Sequence, residues 1–292
     1  MGTTKRAVVV GATNGIGKAI SCLLAVEGFS VLAVGRNKEG RAEEIIQHLE
    51  ICSSTSKSSM SGQDSKKKHE FRPCDAFSLA EGMATIQGFT PTSEGNDEKL
   101  TLHFWSRAAF SSMLLPALRT SSMPGGPVVM SILSGGVHSP YKLYNEDPEL
   151  KKNYSMKNAA DGAGFYNDVF FDKLAKEPSN ERINFIHSCP GFVASNWGTE
   201  MPTYLRAPIR LMQKLGGKPP SECASFMVQP ILQCASGDIE LARPGGAARG
   251  VFIMNEDATA ANKLTKLHDK DALERVWSTT SSVLGRAGIA LI

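Results

Sequence analysis

Gly11, Gly15 and Gly17 close the apolar run Val8-Val9-Val10 and open a helix-like segment. A strand, a tight turn and a helix start in that order present backbone N–H groups that can hold a pyrophosphate. Glycine is what such a turn needs, because a Cβ would keep the backbone away from the phosphates. The competing reading is that the glycines serve only close helix–strand packing. At the end of the next apolar run stands Arg36, where a protein preferring NAD would place a carboxylate for the ribose 2′-hydroxyl. A guanidinium there favours a 2′-phosphate, so the dinucleotide is expected to be NADP, unless Arg36 is simply a solvated strand-end charge.

The elements that must position these residues follow from periodicity. Lys18 to Glu27 carries apolar residues at Ile20, Leu23, Leu24 and Val26, Gly28 stops it, and Phe29 to Val34 reads as a buried strand. Further on, helices are expected over 38–49, 101–118, 160–176, 221–235 and 271–284, and strands over 127–133, 183–189 and 250–254. Strand and helix alternate throughout, which predicts an α/β fold: a Rossmann-like, doubly wound parallel sheet in a single domain spanning 1–292. Ser53 to Lys68 is rich in Ser and Lys and nearly free of apolar side chains, so it is expected to be a flexible loop.

Composition excludes several function classes. A net charge of +3 from 32 basic and 29 acidic residues gives no field that would favour nucleic acid. No stretch is long and apolar enough for a membrane span, and the N-terminus runs into a strand without room for a signal segment, so a cytoplasmic protein is expected. The six cysteines are far apart and make no CxxC or Cys/His pattern, which predicts neither a metal site nor a disulfide framework.

The glycine pattern, Arg36, Asp75 after a third strand at Phe71-Arg72-Pro73-Cys74 and the turn Pro190-Gly191-Phe192-Val193 together resemble the short-chain dehydrogenase/reductase family over nearly the whole chain. Leu102-His103-Phe104-Trp105-Ser106-Arg107 and 158–168 are similar to fungal members associated with secondary metabolism. The resemblance implies that Gly11, Thr13, Asn14, Gly15, Ile16 and Gly17 cradle the pyrophosphate, that Arg36 takes the 2′-phosphate, and that Asp75 meets the adenine. Asp75 also reads as a helix N-cap. Pro190, Gly191 and Val193 would wrap the nicotinamide carboxamide. The activity implied is NADP-dependent hydride transfer to or from a carbonyl or alcohol of a small hydrophobic metabolite, in a homo-oligomer. The substrate pocket would be formed by 141–156 and 197–213.

The family's catalytic residues are mostly absent. Its Tyr-x-x-x-Lys falls on Ala160 and Gly164, and its relay Asn on His103, which also reads as a packed helix histidine. Ser134 occupies the serine position, or is an ordinary turn serine. Tyr154 and Lys157 offer a phenol and an amine three positions apart and are the candidate replacement, although the register of the following helix argues against them. A second reading is therefore a catalytically degenerate relative that keeps its nucleotide site for an accessory or regulatory role. Asp75 and His103 are only 28 positions apart, which leaves no room for the helix and strand the family carries there. The fourth strand, between the first and fifth, is expected to be truncated, with 82–87 as its one candidate replacement.

Overall fold

The computed structural model describes residues 5–36, 40–55, 68–74, 88–195, 203–238, 250–261, 264 and 267–291. Its contacts group the chain into two compact units, 1–78 with 191–229 and 79–190 with 230–292.

In the first unit, β1 (Arg6–Val10), β2 (Ser30–Gly35) and β3 (Glu70–Pro73) form a parallel sheet in that order, with Val8 opposite Leu32 and Ala33 opposite Phe71. Between them run α1 (Gly15–Val26) and α2 (Arg41–Ser54). Helix α1 buries Ile20, Leu24 and Ala25, the stripe that the periodicity of the segment predicts. Helix α2 runs five residues beyond the expected Leu49, burying Ile45, Leu49 and Cys52. Ser53 and Ser54 are thus helical rather than part of a loop; 56–67, the rest of the Ser/Lys-rich stretch, lies outside the described residues. Helix α6 (Thr203–Gly216) and the part of α7 (Pro220–Ser236) up to Gln229 follow later in the chain.

In the second unit, β4 (Val128–Ile132), β5 (Asn184–Ser188) and β6 (Phe252–Met254) make another parallel sheet in that order. One turn of helix, α3 (Glu98–Leu100), leads through a π-helical turn at Thr101–Trp105 into α4 (Ser106–Arg119). Helix α5 (Met156–Lys176) is the central element: Phe165, Tyr166, Val169, Phe170 and Leu174 are buried along it, and α8 (Lys270–Arg286) adds Val276, Val283 and Leu284 to the same core.

The parallel sheets flanked by helices are the α/β, Rossmann-like architecture expected. Among the described residues, no strand stands between β3 and β4 in the chain, and β1 and β4 are each the terminal strand of a sheet. These are the two strands that the expected order places on either side of the truncated fourth strand. The candidate replacement at 82–87 lies outside the described residues. Within segment 141–156, expected to shape a substrate pocket, Tyr141, Tyr144 and Leu150 belong to the second unit's core. The segment is held by Asp147, whose carboxylate accepts from the N–H groups of Lys151, Lys152 and Asn153 at 2.7 to 2.9 Å.

One expectation is corrected. Cys22 of α1 and Cys52 of α2 form a disulfide, with Cα atoms 5.6 Å apart. Their separation of 30 positions carries no pairing signal in the sequence; the packing of two successive helices of a βαβα unit brings them together.

Candidate functional site

The glycine turn follows β1 as the sequence requires. Gly11 has φ +82° and its N–H donates to the Val34 carbonyl of β2 at 2.9 Å. Gly15 has φ +53°, and Asn14 caps the helix by accepting from the Gly15 N–H at 2.8 Å. A Cβ on Gly17 would stand 2.8 Å from the Gly11 carbonyl carbon and 3.3 Å from the Ala12 nitrogen. Both are backbone atoms that cannot yield, so the turn closes only with glycine at this position. Thr13 packs over the end of β2, where a Cβ on Gly35 would meet its methyl group at 2.5 Å. The N–H groups that a helix start leaves without intrahelical partners, together with the positive end of the α1 dipole, make this an anion cradle, and the residues fit a dinucleotide pyrophosphate.

Arg36 is exposed immediately beyond β2, at the strand end. Val193 is buried in the first unit and bridges to Lys218, and Gly191 before it takes φ +71°. Pro190 closes the β5 segment of the second unit, and Asp75 lies outside the described residues.

The structure does not bring Tyr154 and Lys157 together. Ser155 is the N-cap of α5, so Tyr154 precedes the helix, and its hydroxyl accepts from the Lys99 ammonium at 2.7 Å. Lys157 pairs instead with Asp161, one turn along. Ser134 is elsewhere, against Gly164: a Cβ on that glycine would stand 2.6 Å from both the Ser134 hydroxyl and Nδ1 of His138. Eight residues of helix, a rise of ~12 Å, separate the start of α5 from Gly164. The Ser134 hydroxyl is buried without a hydrogen-bond partner.

What surrounds Ser134 is a buried polar cluster that the sequence reading missed. The Asp168 carboxylate on α5 meets three imidazoles: His187 Nδ1 on one oxygen at 2.5 Å, and His138 Nε2 and His268 Nε2 on the other at 3.2 and 3.3 Å. The Ser134 N–H donates to His187 Nε2 at 3.2 Å, so His187 carries its hydrogen on Nδ1 and gives it to Asp168. His138 lies between two acceptors, the Ser134 carbonyl at 2.9 Å and Asp168, an arrangement that favours the imidazolium, in which both nitrogens donate. Donor atoms of His138, Asp168 and His187 lie within 4.8 Å of one another, but these hydrogens already occupy the lone pairs a metal would need. The signal available in sequence was a single charged residue inside an apolar run, Tyr166-Asn167-Asp168-Val169-Phe170-Phe171.

Ionisation follows from these contacts. Burial would raise Asp168, but the electrostatic attraction of the His187 ring and the three imidazole hydrogen bonds hold it well below the usual carboxylate range. For His138 burial works downward and is outweighed by Asp168, so its value rises. Burial lowers His187 despite Asp168. His103, whose Nδ1 bonds the Lys99 carbonyl at 2.9 Å, is pushed down to about 4 by burial and then by the Arg107 charge. It is a neutral histidine at physiological pH. Arg107 is itself brought down to about 10 by burial and donates to Ser131 Oγ and the Ile132 carbonyl of β4, at 2.8 and 3.0 Å.

The signs give a pH prediction. His103 and His187 have folded values below the unfolded 6.5, so the unfolded chain binds protons first and stability is lost as pH falls from 6.5 towards 4. The raised His138 contributes stability that is complete below 6.5 and lost as pH rises through its folded value. Urea midpoints measured from pH 4 to 9 are expected to peak near 6.5, with an acid limb of about 1.4 kcal/mol per pH unit for each proton refused. A flat profile would contradict this.

Comparison with known proteins agrees with the fold. Residues 5–72 match the family model described as short chain dehydrogenase. The chain is 28% identical over 207 residues to Oxidoreductase AN1596 of Emericella nidulans, covering 65% of this chain and 59% of that protein. It is 28% identical over 244 residues to the Short-chain dehydrogenase/reductase SAT2 of Stachybotrys chartarum, covering 73% and 68%. The matched region is thus about three-fifths of the first of these relatives. Among solved structures, an uncharacterized protein from Mycobacterium paratuberculosis superposes with a TM-score of 0.60 at 16% identity, over 99% of this chain and 95% of that one. Acetoin dehydrogenase YohF from Salmonella typhimurium gives 0.51 at 18% identity, over 80% and 91%. A Shigella flexneri protein described as a short chain dehydrogenase and complexed with NADP gives 0.50 at 16%, over 79% and 90%.

Proposed function

We propose that the chain, which is similar over residues 5–72 to the short chain dehydrogenase family model and 28% identical to fungal relatives, is a short-chain dehydrogenase/reductase that binds NADP and transfers hydride between it and a carbonyl or alcohol of a small hydrophobic metabolite in fungal secondary metabolism. The observation that carries the reading is the turn from Gly11 to Gly17, whose backbone closes only with glycine at 17. The bound dinucleotide would supply the hydride. The chain's own part is to seat the pyrophosphate on the start of α1, to meet the 2′-phosphate with Arg36, and to offer Ser134 as a hydroxyl for the substrate oxygen. Pro190, Gly191 and Val193 are proposed for the carboxamide and Asp75 for the adenine. A homo-oligomer is the assembly that the family resemblance suggests, and the cytoplasm is its proposed location.

A second reading has its own observation. With Ala160 and Gly164 on α5, Lys157 paired to Asp161 and the Ser134 hydroxyl buried, no phenol–amine pair stands beside the serine among the described residues. Loss of a general acid costs ~10²–10⁴ in rate, so turnover is expected to be slow or confined to substrates with an acidic hydroxyl of their own. Calorimetric titration with NADPH and NADH, followed by NADPH consumption over a panel of aromatic ketones, separates the two. Binding with turnover supports the oxidoreductase, binding without turnover supports an accessory nucleotide-binding protein, and no binding defeats both.

Arg36→Ala tests the choice of dinucleotide. Loss of one charge-assisted contact to a phosphate is expected to weaken NADPH about 10-fold and leave NADH unchanged. Equal effects on both would take Arg36 out of the site.

A further inference from the structure

Among the described residues, a second reactive cluster lies where α1 and α2 of the first unit meet. Cys22 and Cys52 are joined there, and His48 stands one helical turn before Cys52 on α2, where positions i and i+4 share a face. One donor atom from each of the three residues lies within 4.8 Å of the other two. Cys52 is buried, whereas Cys22 and His48 line a cleft of about 520 Å³ that also includes Lys18, Ala194 and Ser195. The nearby carboxylate, Glu44, is 3.3 Å from the Lys18 ammonium.

Two sulfurs and an imidazole are soft and borderline donors, suited to zinc and unsuited to magnesium or calcium, which take oxygen. Bonds of ~2.0–2.3 Å to a tetrahedral cation place neighbouring donors ~3.3–3.8 Å apart. The three donor atoms lie within 4.8 Å of one another, so opening the disulfide and small side-chain rotations bring them to that spacing. The cleft leaves the fourth corner for water or a small ligand.

The geometry points to a redox-gated site for a thiophilic divalent cation, zinc above all, formed by Cys22, His48 and Cys52 when their disulfide is open. A dithiol gives two electrons and two protons to the Cys22–Cys52 bond and becomes a disulfide itself, leaving two thiols. Zinc displaces one proton from each thiol and takes the neutral lone pair of His48, so one cation enters and two protons leave. A small-molecule disulfide takes two electrons from the thiolates and two protons from water to become two thiols, which expels the cation and restores the cross-link between α1 and α2. The site therefore exchanges a covalent tie between these helices for a metal-bridged one.

The test uses the full chain, reduced with a phosphine and desalted under nitrogen, then titrated with Co²⁺ and competed with Zn²⁺. One equivalent is expected to bind, with an intense sulfur-to-cobalt charge-transfer band and the visible bands of four-coordinate cobalt. Oxidised protein is expected to show neither. Cys22→Ser and, separately, His48→Ala are expected to weaken binding about 100-fold or more, while Cys74→Ser binds as the wild type does. His48 is only partly buried, so its replacement leaves the helix packing in place, and circular dichroism checks both variants for folding. Three results would overturn the site: cobalt uptake by folded Cys22→Ser equal to that of the wild type, reduced wild type that takes up no thiolate-bound cobalt, or a disulfide that stays closed to the phosphine in the folded chain.

Discussion

Asp168→Ala is expected to destabilise the protein by about 3–5 kcal/mol, the cost of breaking a buried ion pair by removing one partner. The carboxylate takes hydrogens from His138, His187 and His268, and the two acceptors of His138 favour its imidazolium. Without Asp168 that cation is buried uncompensated, and the Nδ1–H of His187 loses its only acceptor in the cluster. At ~2–4 °C per kcal/mol the melting temperature is expected to fall by about 6 °C or more. Asp168→Asn is expected to fall between, since its oxygen still accepts while its NH₂ opposes the donors. The double change Asp168→Asn with His138→Gln is expected to recover part of the loss, because removing both partners leaves less unsatisfied than removing one. A melting temperature within 2 °C of wild type for Asp168→Ala would show that the cluster is not the buried charge network described.

Gly17→Val is expected to weaken NADPH binding by about 100-fold, equivalent to ~2.7 kcal/mol. The added side chain meets the Gly11 carbonyl carbon and the Ala12 nitrogen. The backbone must therefore move, at a cost of ~1–3 kcal/mol, and the N–H groups of the cradle move with it. Gly285→Ala is the matched control, since a Cβ there meets nothing within 4 Å, and it is expected to bind NADPH as the wild type does. Titration calorimetry reads affinity and a thermal melt reads folding. Wild-type affinity in folded Gly17→Val would remove the turn from the binding site.

The reach of sequence reading differs sharply between these two regions. The turn was legible because its constraints are local: Gly11, Gly15 and Gly17 answer to backbone conformation and to atoms at most a few positions away. The helices and strands were legible in the same way, from periodicity, with ends displaced where caps decided them; capped by Ser155, α5 starts at Met156, four residues before the expected Ala160. The cluster around Asp168 was not, because its members are spread from 138 to 268 and meet only through the packing of α5 on β5. The Cys22–Cys52 bond was missed for the same reason. Lys99 on Tyr154 shows the limit again: the amine beside that phenol is 55 positions away in sequence rather than three.

Gly164 carries one more implication, for attempts to build a phenol–amine pair into α5. A single added carbon there would stand 2.6 Å from both the Ser134 hydroxyl and His138 Nδ1. Writing a tyrosine at 160 and a lysine at 164 would therefore not install a working pair by itself. His138 and Ser134 occupy the space that a side chain at 164 needs, so such a redesign has to move His138 first.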